Sequence, residues 1–216
     1  MELLDRSLML AFETWKPYDD QGPAKQSAMA LFSSDGGSTW CSPIVVADGM
    51  PEHVYYWDMR IIGLGESRFF VTFWTHDWQH NKDLPIHWAA SEDGGKTWTK
   101  PHSTGIEGQI SCAAHLGGET IFLVYNRRHA ERPGIMGILS HDRGGTWDTK
   151  NQVMIWDAQG QANIGTRSGE NVFADMATFA FGKPNAERLH DGNILVSFWC
   201  THKCVTHIRW AQIHVD

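Results

Sequence analysis

Charged and polar side chains recur in this sequence where short apolar segments begin. The stretch "YYWDMR" places Asp58 and Arg60 at the start of one segment. Asp175, in "FADM", occupies a matching place near the end of the chain, because each Asp comes two residues after an aromatic and is followed by Met. Carboxylates can transfer protons and guanidinium groups bind anions. Asp58, Arg60 and Asp175 are therefore the predicted catalytic residues.

A second set of polar side chains lies at the ends of neighbouring apolar segments. Apolar alternation along a strand does not need such groups, so we predict that they contact a ligand. The alternative is a polar lining held together by ion pairs and water. The predicted substrate-binding residues are Glu13, His76, Asp77, Gln109, Arg127 and Arg128.

An eight-residue pattern recurs three times between these segments. S-x-D-x-G-x-T-W occupies residues 33–40, 91–98 and 140–147. The Asp of each copy can accept hydrogen bonds from backbone N–H groups of a turn, and the Gly can adopt conformations that are costly for other residues. We therefore predict that the motif fastens a turn and takes no part in catalysis or calcium binding.

The motif marks an internal repeat of four predicted strands, A to D. Apolar segments that start at Ser7, Arg68, Thr120 and Asn193 align without gaps and place an aromatic in one column. They are the predicted B strands, and the motif joins C to D. Short aromatic and β-branched segments bounded by Gly and Asp favour strands. Units of this size fit the four-stranded antiparallel blades of a β-propeller.

The predicted fold is therefore all-β, a single propeller domain over residues 1–216. Its units are expected at about 1–50, 51–106, 107–160 and 161–216. In such blades the motif lies at the same face as the A–B turns. The starts of A strands and the ends of B strands meet at the opposite face, near the axis. The predicted site residues would converge there.

Composition and charge argue against several classes of function. The net charge of −7 argues against a nucleic-acid partner or an anionic membrane surface. No apolar run approaches the ~20 residues of a membrane span. The N-terminus does not read as a signal peptide, so a cytoplasmic location is expected if Met1 is the natural start. No cofactor is expected.

The four cysteines are too few for a disulfide scaffold, and two of them lie close together. Cys200 and Cys204 flank the predicted last hairpin, with His202 and His207 beside them. Free thiols, a hairpin disulfide and a metal site all stay open, and the spacing favours free thiols.

The repeated motif resembles the Asp box of the sialidase family, whose members are six-bladed β-propellers. The resemblance covers nearly the whole chain, including "NILVSFWCTHKCVTHIRWAQIHV", which resembles the last blade of sialidase-like proteins. It implies a carbohydrate or glycoconjugate ligand and exo-glycosidase hydrolysis of a terminal sugar. The alternative is a non-catalytic carbohydrate-binding or scaffold propeller, because Asp boxes also occur in propellers that are not enzymes.

The resemblance also implies roles for particular residues. Sialidases hold the sugar carboxylate with three arginines, for which Arg60, then Arg127 or Arg128, then Arg209 are the candidates. Their nucleophile is a Tyr late in the chain, and the last unit here contains no Tyr. A mechanism with two carboxylates, Asp58 with Glu13 or Asp175, is the other possibility.

The units add up to about three and a half blades. We therefore expect an open arc from the C-terminal part of a longer protein, with free edges at residues 7–15 and 208–215. Further N-terminal blades or another chain would cover those edges.

Overall fold

The structure, a computed structural model, describes residues 1–17, 19–20, 22, 24–160 and 179–215. All sheets in these residues are antiparallel, and no α-helix occurs in them. The first sheet has the order β1 (Leu8–Glu13), β2 (Ala28–Ser33), β3 (Ile44–Ala47). The second has the order β4 (Val54–Gly65), β5 (Arg68–Asp77), β7 (His87–Ser91), β8 (His102–Ser103), with β6 (Lys82–Asp83) also paired to β5. The all-β prediction is confirmed.

The remaining strands form two more sheets. The third sheet has the order β9 (Ser111–Gly117), β10 (Thr120–Arg127), β11 (Gly134–Ser140), β12 (Val153–Asp157). The fourth has the order β13 (Phe181–Arg188), β14 (Ile194–His202), β15 (Val205–Ile213). Single 3-10 turns lie at Met50–Glu52 and Thr149–Asn151. Among the described residues no helix has the length and apolar character needed to cross a membrane.

The observed strands differ from the predicted ones in two places. The short strand β6 was not predicted, since a two-residue strand has no periodicity to detect. The A strand of the last unit, expected near "FADMAT", is represented by β13, which begins at Phe181. The "FADMAT" segment itself, with Asp175, lies outside the described residues.

Apolar layers lie between successive sheets. Buried side chains of the first and second sheets form one cluster, those of the second and third another, and those of the third and fourth a further one. Phe73 and Tyr125, from the aligned aromatic column, are fully buried in these layers. Burial of one such side chain stabilises the fold by roughly 1.5–3 kcal/mol. The first strands of successive sheets lie side by side, β4 against β9 and β9 against β13.

Each repeated motif joins the last two strands of its sheet, β2 and β3, β7 and β8, or β11 and β12, and stabilises the turn between them. In the second copy, Asp93 accepts hydrogen bonds from the backbone N–H of Thr97 at 2.9 Å and from its hydroxyl at 2.7 Å. Ser91 Oγ donates to Asp93 and accepts from Gly95 N–H, both at 2.9 Å. The other two copies repeat these contacts. The predicted turn role is confirmed, although the three carboxylates are exposed.

Candidate functional site

The motifs and the candidate site lie at opposite ends of the strands. Ser33, which opens the first motif, pairs with Leu8 at the start of β1, whereas Glu13 is at the other end of that strand. Likewise Ser91 pairs with Phe69 near the start of β5, and His76 is near its far end. The site residues therefore belong to the end of the sheets remote from the motifs.

Two carboxylates and a lysine from three sheets meet at this end. The Lys183 ammonium lies 3.0 Å from Asp58 Oδ1. The backbone N–H of Met59, next to Asp58, donates to Glu13 Oε1 at 2.9 Å. We call Glu13, Asp58 and Lys183 the carboxylate cluster. Of the three, Lys183 was not predicted from the sequence.

Irregularities in two inner strands direct the side chains of this cluster. The register of β4 against β5 shifts between Trp57 and Arg60, and Asp58 within the shift has a φ of 50°. The register of β13 against β14 shifts in the same way, and Lys183 there has a φ of 46°. A β-bulge redirects the side chain that it carries. The two bulges thus bring Asp58 and Lys183 together.

Burial sets the protonation of Glu13. It raises the pKa of the Glu13 carboxyl, and the charge of Asp58 raises it further, while the Met59 N–H and Lys183 act in the opposite direction. A carboxyl group whose pKa is raised in this way can act as a proton donor.

A second cluster is centred on Asp83 in β6. His76 Nδ1 and Trp74 Nε1 each lie 2.9 Å from Asp83 Oδ1, and Gln109 Nε2 donates to Oδ2 at 3.2 Å. Burial alone would raise the pKa of Asp83, but hydrogen bonds from His76 and Trp74 outweigh it, so the pKa is lowered. Asp83 is therefore a buried carboxylate held in its charged form.

Arg128 lies between the two clusters. Its side chain is 3% exposed, its Nε donates to the Phe181 carbonyl at 3.1 Å, and its guanidinium stacks 3.8 Å above the Phe179 ring. Burial lowers the pKa of Arg128 to about 10, while the charges of Asp58 and Asp83 oppose that shift. Its Nη1 is buried and has no hydrogen-bond partner among the described residues.

A cleft of about 860 Å³ opens beside Arg128. Its lining carries both signs of charge, with Asp83, Glu107 and Glu131 on the one hand and Arg127 and Arg128 on the other. Gln109 also lines it and connects the walls, because its Oε1 accepts from the Arg128 backbone N–H at 3.1 Å. Arg128 thus lines the cleft with a guanidinium, a group whose N–H donors can bind a carboxylate or another anion.

The predicted site residues divide into three groups by position. Glu13 and Asp58 share the carboxylate cluster, and Gln109, Arg127 and Arg128 line the cleft. His76 lies beneath the surface, stacked on Trp57 and bound to Asp83.

Asp77 and Arg60 are the remaining predicted residues that the structure describes. Asp77 caps its own turn by accepting from the N–H groups of Gln79 and His80 at 3.0 Å each. Burial raises the pKa of the Cys112 thiol, and the positive charge of Arg60 acts in the opposite direction. The ligand role of Arg60 stays a prediction, as does that of Arg127.

Two further expectations concern the last sheet. Arg209, the weakest arginine candidate, donates from Nε to His207 Nε2 at 3.1 Å, and its guanidinium lies 5.9 Å from the ring of Trp156 in the third sheet. Cys200 and Cys204 are free cysteines, which excludes the hairpin disulfide, and Cys200 Sγ lies 3.6 Å from His207 Nε2.

Comparisons with known proteins show which solved structures have a similar fold. No protein-family model and no curated protein matches the chain. A protein of unknown function from Dyadobacter fermentans has a solved structure that is 20% identical, with a TM-score of 0.71 and coverage of 100% of this chain and 52% of that one. A Hadza microbial sialidase is 12% identical, with a TM-score of 0.62 and coverage of 96% and 42%.

A third similar structure is that of Penicillium chrysogenum α-L-arabinanase in complex with arabinobiose. It is 13% identical, with a TM-score of 0.57 and coverage of 90% of this chain and 56% of that one. At these identities the similarity shows the fold alone, which is that of β-propeller glycoside hydrolases. This chain spans about half the length of the first of these structures and less than half of the second.

Proposed function

We propose that this protein recognises glycans and hydrolyses a terminal sugar that carries an anionic group, as sialidases do. The carboxylate cluster is the observation that carries the proposal. It combines a half-buried carboxyl with a raised pKa, Glu13, and a lysine-paired carboxylate, Asp58. Glycosidases need such a pair, because one group must protonate the leaving oxygen while the other stays ionised.

In this proposal Glu13 is the general acid and donates its proton to the glycosidic oxygen. Asp58 is the carboxylate that stabilises positive charge at the sugar carbon or activates water. Arg128, whose Nη1 has no partner among the described residues, binds the anionic group of the sugar. Arg127, which also lines the cleft, adds positive charge.

The fold similarity supports two finer proposals. The four sheets belong to a six-bladed propeller of the sialidase type, and the three S-x-D-x-G-x-T-W motifs are its Asp boxes. Among the described residues β1 pairs with one strand, β2, and forms a single bridge from Leu8 to Glu2 on its other side, while β15 pairs only with β14. Further sheets or another chain would cover these two edges.

A second candidate function is glycan binding without hydrolysis. It is favoured by the contacts that both carboxylates already make within the protein. Glu13 accepts from a backbone N–H, and Asp58 is paired with Lys183. The same cleft would then hold the sugar and Arg128 its anionic group.

Hydrolysis can be tested with a panel of 4-methylumbelliferyl glycosides of sialic acid, uronic acids and neutral sugars. We expect turnover of an acidic sugar that falls by about 10²-fold or more in Glu13→Gln, since general acid catalysis typically contributes that much. Activity should also decline as pH rises through the raised pKa of Glu13. Glu92→Gln, a change of an exposed carboxylate in the second motif at the opposite end of the strands, is the control and should retain activity within about twofold.

The outcomes separate the candidates. If no glycoside of the panel is hydrolysed but the protein binds an acidic glycan and Arg128→Met abolishes that binding, the function is glycan recognition without hydrolysis. Turnover that Glu13→Gln does not change would refute the assigned acid.

A further inference from the structure

An exposed tryptophan lies beside the carboxylate cluster. Trp15 follows Glu13 by two residues and leaves 40% of its surface exposed. Exposure of so large an aromatic surface forgoes hydrophobic stabilisation that burial would provide. A large apolar side chain at the mouth of a polar site is a common feature of ligand-binding surfaces.

The ring of Trp15 is held in place from several directions. Its edge packs on Tyr55 with the ring centroids 5.1 Å apart, and it lies 6.1 Å from the Trp57 centroid. On the N-terminal side, Thr14 N–H donates to the Ser27 carbonyl at 2.9 Å. On the C-terminal side, the Lys16 ammonium donates to the Gly22 carbonyl. An aromatic fixed in this way loses little conformational entropy when a ligand packs on it.

Trp15 is also the outer end of a row of aromatic rings. From Trp15 the row continues through Trp57 to Trp74, 5.2 Å further, and then to Phe179 at 6.4 Å. The guanidinium of Arg128 stacks on the Phe179 ring. The row therefore connects the exposed tryptophan with the proposed anion-binding group.

We propose that Trp15 is a platform for a second sugar ring, the one adjoining the terminal sugar at Glu13 and Asp58. The inference rests on the proposed function and narrows its substrate class to oligosaccharides or glycoconjugates. One face of a pyranose carries C–H groups, which pack on the electron-rich face of an aromatic ring. The hydroxyl groups at the ring edge stay in water.

A glycan array of oligosaccharides, probed with the full chain, tests the platform. Wild type, Trp15→Ala and Trp15→Phe are compared, with Trp210→Ala as the control because Trp210 is 70% exposed on β15 of the fourth sheet. We expect at least a tenfold loss of oligosaccharide affinity in Trp15→Ala and a loss of less than threefold in Trp15→Phe and Trp210→Ala. Competition by methyl glycosides of the terminal sugar should be equal in wild type and Trp15→Ala.

The results separate the platform from the hydrolytic proposal. Oligosaccharide binding that depends on Trp15, in a protein without turnover, supports the platform and refutes hydrolysis. Turnover with equal oligosaccharide affinity in wild type and Trp15→Ala refutes the platform alone. The absence of any oligosaccharide binding by the wild type overturns both. Thermal melting of each variant verifies that a loss of affinity does not come from unfolding.

Discussion

The position of Arg128 depends on a glycine that leaves room for it. A Cβ built on Gly182 would lie 2.2 Å from Arg128 Nη2 and 3.3 Å from its Cζ. Gly182 does not have a positive φ, so its backbone also suits alanine and the effect of a methyl group is steric. Arg128 has little freedom to retreat, because its Nε is bound to the Phe181 carbonyl and its guanidinium lies on Phe179. We predict that Gly182→Ala displaces the guanidinium.

The size of the effect follows from overpacking in a buried site. Forcing an extra methyl into such a place typically costs about 1–3 kcal/mol. In a chain of this length, each 1 kcal/mol lowers the melting temperature by roughly 2–4 °C. We therefore expect the melting temperature of Gly182→Ala to be roughly 2–12 °C below that of the wild type. Affinity for an anionic sugar should fall by about tenfold or more, because a buried charged contact is typically worth 2 kcal/mol or more.

Thermal unfolding and calorimetric titration with an acidic oligosaccharide measure the two effects. Gly63→Ala is a matched control, because Gly63 also lacks a positive φ and its added Cβ would meet only the Met1 Cε, at 4.0 Å. That control should change neither quantity. A Gly182→Ala protein with unaltered stability and affinity would refute the tight packing around Arg128.

Two further predictions concern the motifs and the thiols. Hydrogen bonds, of which that from the Thr97 hydroxyl has the largest effect, lower the pKa of Asp93 to about 2. The ionised carboxylate therefore stabilises the folded protein above the ordinary pKa of 3.8, and this stabilisation is lost as pH falls towards 2. Asp93→Ala should melt lower than wild type at pH 7 but alike at pH 2, with Lys96→Ala as the control, and equal melting at pH 7 would contradict the turn role. Cys41 and Cys204 are exposed whereas Cys112 and Cys200 are buried, so an aromatic disulfide reagent should modify two thiols rapidly in the native protein and four after denaturation. Rapid modification of all four native thiols would show that the buried pair is accessible.

Local patterns in the sequence were sufficient to predict the strands and turns. The aromatic column and the repeated motif are short-range signals, and both reflect contacts within one sheet or between neighbouring ones. The predicted B strands that carry the column are present as β1, β5, β10 and β14. The motif hydrogen bonds join residues at most four apart, as between Asp93 and Thr97, so their spacing is visible in the sequence.

The site was predictable only in part, because its contacts join distant residues. Glu13 and Met59 are 46 residues apart, and Arg128 and Phe181 are 53 apart. Asp83 was missed although it follows a B strand on the predicted ligand face, because a lone carboxylate in a loop is usually solvated. Lys183 was missed because only the bulge in β13 directs it towards Asp58.

Backbone strain at the carboxylate cluster favours a functional origin for it. Asp58 and Lys183 both hold a positive φ, which typically costs about 1–3 kcal/mol for each residue that is not glycine. Their ion pair contributes little in return, since a pair with a half-exposed lysine is worth about 0–1 kcal/mol. The pair therefore does not offset the strain of the two bulges that create it. Strain at this position is what we expect if the carboxylates of the cluster perform the proposed chemistry.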